Sequence, residues 1–171
     1  MCFESLIREA NLIVKNYGDF NKFYHILENF NLDTAQFRKF KKTNKIIIEN
    51  NKNEYGYSKI KIFENNIYDI YVIFWIGKTN VPFHDHSKNG CYFKVLNGVI
   101  EEVIKKTNNE EKTRILHEND IGYMHNDIGI HKVNNIKEHI LDHRDIVEDY
   151  LDASVSVHVY SPTNYICKKF F

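Results

Sequence analysis

Two histidines separated by one residue, His84-Asp85-His86, stand first among the residues of this chain that can do chemistry. Side chains two positions apart on a strand leave the same face, so the two imidazoles converge while Asp85 points away. Adjacent neutral imidazoles are a natural pair of ligands for a transition metal. In a chain with nine histidines an isolated His-x-His is as readily incidental, so its surroundings matter. It follows a long aromatic and β-branched run, and a third histidine, His131, ends the later stretch Asn126-Asp127-Ile128-Gly129-Ile130-His131. Ser156, His158 and Tyr160 repeat the period of two and share one face of an expected strand. Turned to a metal pocket they form a hydrogen-bonded row that positions the tyrosine hydroxyl. Turned to solvent they are the polar side of a half-exposed strand. Spacing leaves both readings open.

The elements that must position these residues change character along the chain. Leu6, Ala10, Ile13, Val14 and Tyr17 fall at helical spacing and form one apolar stripe. Asp33 followed by Gln36 has the form of a capping box, with Leu32 and Phe37 as a hydrophobic staple, and predicts a helix through Phe40. Two or three short helices are expected within residues 3–43. Strands are expected from Asn44 onward, beginning with the three isoleucines of Lys45–Glu49. Tyr55, Tyr57, Lys59 and Lys61 then alternate with Gly56, Ser58, Ile60 and Ile62, and Asn65-Asn66 turns the chain into Ile67–Trp75. Leu96-Asn97-Gly98-Val99 carries the signal of a two-residue type I′ hairpin. Further turns are expected at Asn108-Asn109 and Asn119-Asp120. Many short strands at this spacing point to a sandwich or barrel. The charged stretch Asn134–Asp152 interrupts the strands before Ser154–Tyr160.

The 171 residues, 43% of them apolar, suffice for one domain with a sizeable core. Lys plus Arg equal Asp plus Glu at 23 each, which removes any general attraction for nucleic acid or anionic lipid. Cys2, Cys91 and Cys167 are too few and too scattered for a disulfide framework. No apolar run approaches the roughly 20 residues of a membrane helix, and the first residues have no signal-peptide pattern. A soluble, cytoplasmic, monomeric protein is expected, without nucleic-acid or membrane partners. Cys2 and Cys167 read as bystanders, His25, His117, His139 and His143 as surface or hydrogen-bonded histidines, and Trp75 as core.

Three motifs resemble the cysteine dioxygenase family. Phe83 through Glu102 is similar to its first cupin motif, Tyr123 through Asn135 to its second, and Ser156-Val-His-Val-Tyr-Ser-Pro to its C-terminal strand. Tyr55-Gly-Tyr-Ser-Lys resembles the segment lining its substrate pocket. The resemblance covers roughly residues 55–167, in the family's order. It implies a mainly β cupin, a double-stranded β-helix or jelly-roll barrel, with short N-terminal helices packed on it. It also implies Fe(2+) held by His84, His86 and His131, and a thioether cross-link between Cys91 and Tyr160. His158 and Ser156 would hydrogen-bond toward Tyr160, and Tyr57 would line the pocket. The expected reaction is oxidation of L-cysteine by O2 to cysteine sulfinate. Two features depart from the family. Lys59 stands where the family reads the substrate carboxylate with an arginine, and the 134–152 segment is longer than the corresponding loop. Lys59 keeps open a dioxygenase for another small thiol, such as 3-mercaptopropionate or cysteamine. A metal-binding cupin without redox chemistry is the alternative of a different class.

Overall fold

A computed structural model describes residues 2–17, 19–77, 79, 81–136 and 153–171, with only the backbone of 13–17. Among the described residues three α-helices precede the strands, α1 (Phe3–Tyr17), α2 (Phe23–Asn29) and α3 (Thr34–Asn50), with a single 3-10 turn at Phe20–Lys22 leading into α2. The Asp33 and Gln36 capping box starts α3 as expected, Asp33 accepting from the Gln36 backbone N–H at 2.7 Å. The helix then runs past the expected boundary at residue 43. Lys45–Glu49, expected as a strand, is its last part. Ile48 alone of the three isoleucines is buried, while Ile46 is 71% exposed and Ile47 44%. A β-branched triplet looks like a strand, but Phe37, Phe40 and Ile48 at helical spacing pack on the sheet, and burial on that stripe decides.

Ten strands follow among the described residues: β1 (Tyr57–Glu64), β2 (Asp69–Trp75), β3 (Phe83–His84), β4 (Cys91–Asn97), β5 (Val99–Lys106), β6 (Glu111–His117), β7 (Ile121–Met124), β8 (Gly129–Asn135), β9 (Ser154–Tyr160) and β10 (Lys169–Phe170). They form two antiparallel five-stranded sheets. One has the order β1-β2-β9-β4-β7, the other β10-β3-β8-β5-β6. The first is covered by helices. Leu6, Phe23, Leu27 and Phe30 pack on its Tyr68, Ile70, Val157 and Val159, and α3 packs on Ile60, Phe74 and Val155. Burying one such aromatic side chain is worth about 1.5–3 kcal/mol, so the helices anchor this sheet firmly. Its β9 is buried along nearly its whole length. The second sheet shows more of its outer side, and β6 is largely exposed. Between the sheets lie Ile73, Trp75, Phe93, Val95, Ile100, Leu116 and Val133.

The expected hairpin at Asn97-Gly98 is not one. β4 pairs with β7 and β9, and β5 with β6 and β8, so the chain crosses here from one sheet to the other. Gly98 takes φ +82°, Asn97 has no positive φ, and a Cβ at Gly98 would lie 2.5 Å from Ser154 Oγ. Close approach to β9 and a left-handed backbone both demand glycine. The turns at Asn65-Asn66, Asn108-Asn109 and Asn119-Asp120 are present, with Asn109 and Asn119 at positive φ. Asn134 and Asn135 complete β8 instead of opening the charged segment, whose residues 137–152 lie outside those described.

Candidate metal centre and adjoining pocket

The inner faces bring the three histidines together. His84 ends β3 and pairs across the ladder with His131 of β8. His86 lies beyond the two-residue β3, so strand alternation alone does not aim it. Asn126 does so by clamping its backbone: the carboxamide accepts from His86 N–H and donates to His86 C=O, both at 2.8 Å. Asp85, expected to face away, borders the cavity but stays outside the histidine cluster, and accepts from the Lys168 N–H at 2.6 Å.

His131 Nε2 lies 3.1 Å from His86 Nε2 and 3.2 Å from His84 Nε2. Two imidazole nitrogens sharing one ion at about 2.1 Å lie roughly 3.0–3.4 Å apart, so the spacing fits a common metal. The protonation pattern fits as well. His131 Nδ1 faces Glu102 Oε1 at 2.6 Å and His84 Nδ1 faces the Pro82 carbonyl at 3.2 Å. With those nitrogens donating, both Nε2 atoms present bare lone pairs. Burial pushes all three histidines below their ordinary pKa, which favours the neutral form a metal requires. Lone pairs converging at this distance repel unless a cation lies among them. The three residues can hold a metal ion.

Glu102 escapes a reading of motifs. It is fully buried on β5, its carboxylate between His131 and Arg114, its ladder partner on β6. Burial raises its pKa while the Arg114 guanidinium lowers it. Its signal in the sequence is a lone acid within the alternation Ile100, Glu102, Ile104.

The opposite sheet supplies the other expected residues. Ser156, His158 and Tyr160 share the inner face of β9: Ser156 and His158 are buried, and His158 and Tyr160 line the cavity. Trp75 Nε1 donates to Ser156 Oγ at 2.8 Å, and Ser156 Oγ lies 2.7 Å from His158 Nε2. The indole can only donate, so the serine hydroxyl can donate to Nε2, an arrangement that places the proton of His158 on Nδ1. That nitrogen lies 3.4 Å from the Tyr160 hydroxyl and 3.7 Å from Cys91 Sγ. Trp75 therefore does more than fill the core. Phe93 stacks on His158 at 5.1 Å, and a side chain at Gly122 would collide with that ring. Cys91 and Tyr160 are directly opposite in the β4–β9 ladder. Burial pushes the Cys91 thiol up to about 12 and Tyr160 well above its usual value, and keeps His158 neutral.

Tyr57, Lys59, Trp75, His84, His131 and Tyr160 share one cavity of about 70 Å³. That is well below the roughly 300–1,000 Å³ that takes a drug-sized ligand. Lys59 thus reaches the pocket, and desolvation lowers its pKa. Cys167, read as a bystander, also lines the cavity, with Tyr165 and Lys169 of the C-terminal segment. Cys2 does not. His25 and His125 are bonded elsewhere, to Glu28 and to the Lys88 carbonyl. His139 and His143 fall outside the described residues.

Two facing antiparallel sheets with a three-histidine cluster between them define a cupin. An oxalate oxidase in complex with glycolate shares the fold at a TM-score of 0.53 and 10% identity, over 70% of this chain and 57% of that one. A deletion mutant of Bacillus subtilis oxalate decarboxylase does so at 0.52 and 12%, over 70% and 29%. Within that fold class, the chain belongs to the cysteine dioxygenase type I family, whose model matches residues 5–171. It is 27% identical over 125 residues to cysteine dioxygenase type 1 of Homo sapiens, covering 68% of this chain and 56% of the relative. The Danio rerio protein of the same name is 23% identical over 177 residues, covering 98% and 78%. This chain thus spans little more than half the length of its human relative. No helix among the described residues is long and apolar enough to cross a membrane.

Proposed function

We propose that this protein is a non-haem iron thiol dioxygenase that oxidises L-cysteine with O2 to cysteine sulfinate, both oxygen atoms entering the sulfur. One observation carries the reading: the three Nε2 atoms converge, and His84 and His131 line the same small cavity as the Lys59 ammonium and Tyr160, which stands opposite Cys91. His84, His86 and His131 would hold ferrous iron. When bound, the ion supplies the open coordination positions and the electrons through which a thiol and O2 react. Glu102 holds the His131 ring by its Nδ1 proton and keeps the Nε2 lone pair aimed at the centre.

The remaining roles belong to the helix-backed sheet. Lys59 pairs with the substrate carboxylate. Tyr57 closes the same wall. Ser156 and His158 hold the Tyr160 oxygen, leaving the tyrosine proton free to point at the substrate. Cys91, held protonated by burial, does not compete with the substrate thiol. Cys91 and Tyr160 join by a bond between Sγ and the ring carbon beside the hydroxyl. The thiol and ring hydrogens leave as protons, and O2 takes the two electrons.

Lys59 also supports a second reading, a preference for another carboxylate thiol such as 3-mercaptopropionate. An ammonium provides one point charge where a guanidinium offers two aligned donors, so it orients cysteine less strictly. Oxygen uptake by the iron-loaded protein with cysteine, 3-mercaptopropionate and cysteamine tests both. Uptake with cysteine and sulfinate formation are expected. Uptake confined to 3-mercaptopropionate would favour the second reading. Zinc or nickel in the purified protein and no uptake with any thiol would point to a metal-binding cupin without redox chemistry.

A further inference from the structure

Lys59 is held by aromatic faces. Its Nζ lies 3.8 Å from the centroid of the Tyr71 ring and 4.4 Å from that of Tyr160, and no hydrogen-bond acceptor is found for it among the described residues. Strand register brings the three together. Lys59 lies opposite Ile73 and Tyr71 opposite His158, so Tyr71 is the diagonal neighbour of Lys59, and Tyr160 of Tyr71. The two rings meet nearly edge to face with centroids 5.8 Å apart, and form a corner around the ammonium. The Tyr71 hydroxyl turns away to Asp69 Oδ2 at 3.4 Å. That buried carboxylate is itself fixed by the Asn164 N–H at 2.7 Å. Lys61, next along the same strand face, bonds Glu64 and Asn164 at the rim, and its Nζ lies farther from the Tyr71 centroid, at 5.5 Å.

A lysine stem is flexible, and its ammonium has no built-in orientation. Two ring faces attract the cation through their quadrupoles without using any of its N–H donors. An ammonium so placed is fixed in position and still needs an anion. We propose that Tyr71 is a specificity-determining positioning residue: it clamps the Lys59 ammonium against Tyr160 with its donors free, so that the pocket selects thiols carrying a carboxylate. The proposal rests on the reading of Lys59 as the carboxylate partner. The clamp restores to a lysine the fixed geometry that an arginine brings with its own planar fork.

The test compares Tyr71→Met, Tyr71→Phe, Lys59→Met and the double variant Lys59→Met/Tyr71→Met in iron-loaded protein. Two readouts apply: steady-state kinetics, and calorimetric binding of 3-mercaptopropionate without O2. Tyr71→Met, which keeps bulk and loses the ring, should raise the ratio of KM for cysteine to KM for cysteamine by about 5- to 30-fold. 3-Mercaptopropionate binding should weaken to match, and kcat should change little. Tyr71→Phe should recover most of what Tyr71→Met loses, because the ring does the holding. In the Lys59→Met background Tyr71→Met should add nothing. Equal losses for cysteamine and cysteine in Tyr71→Met, or a full Tyr71→Met effect without Lys59, would overturn the clamp. The binding readout needs no turnover. If no thiol were oxidised by the unmutated protein, the enzymatic reading would fall while the binding comparison still decided the role of Tyr71.

Discussion

The two sheets face one cavity with opposite chemistry. The sheet β10-β3-β8-β5-β6, with the segment just after β3, offers lone pairs: three neutral imidazoles, with His131 and His84 each tied by Nδ1 to an acceptor of the protein. The sheet β1-β2-β9-β4-β7 offers proton donors: the Lys59 ammonium and the Tyr160 hydroxyl, with the Cys91 thiol buried opposite Tyr160. The first set is satisfied by a cation and the second by an anion. The difference in backing follows the difference in task. The donor sheet carries the larger apolar load, with helices over its outer face, and can keep a desolvated lysine in its interior. The imidazole sheet has a more open outer side and relies on point anchors, with Glu102 behind His131 and Asn126 behind His86.

Breaking the imidazole set should have the largest effect. His131→Ala removes the nitrogen closest to both of the others, so iron content and turnover should both fall to background, read by elemental analysis and oxygen uptake. Full iron and turnover in that variant would remove His131 from the centre. Asp85→Asn, outside the histidine cluster and bonded to the Lys168 N–H, should leave most of the iron in place.

Glu102→Gln comes next. The amide keeps the size of the carboxylate and loses its charge, so His131 is less strongly held. Iron affinity should drop about 10- to 100-fold, measured by competition with a chelator. An unchanged affinity would make Glu102 a structural partner of Arg114 only.

On the other sheet, Lys59→Met should raise the KM for cysteine by about 10- to 100-fold, as loss of a charged hydrogen bond worth about 1.5–3 kcal/mol implies. Cysteamine, without a carboxylate, should respond far less, and iron content should stay constant. Loss of iron in Lys59→Met would erase the division of labour between the sheets. The smallest effect is expected of Cys91→Ser. Intact mass of iron-loaded, turned-over protein should show two hydrogens fewer than the sequence requires, and the serine variant should not. Activity should be reduced and not abolished, since the histidines remain in place.

Sequence and structure agree best where the pattern is local. The period of two placed Ser156, His158 and Tyr160 on one face, and Tyr57 and Lys59 on another strand of the same sheet. The capping box marked the start of α3. Long-range packing overrode local signals elsewhere. The isoleucines of Lys45–Glu49 continue a helix because only one of them faces the core. Asn97-Gly98 has the chemistry of a tight hairpin, yet its neighbours pair with different sheets and glycine serves the approach to Ser154. Glu102, Asn126 and Tyr71 were hidden for a related reason. Each acts through a residue far away in the chain, and no spacing rule links Glu102 to His131 or Tyr71 to Lys59.

The fate of the oxygen atoms tests the dioxygenase chemistry most directly. Iron-loaded protein given cysteine under 18O2 should form cysteine sulfinate with both sulfinate oxygens labelled, and consume one O2 for each cysteine lost. Sulfinate carrying a single labelled oxygen, or cysteine lost only to disulfide, would contradict it.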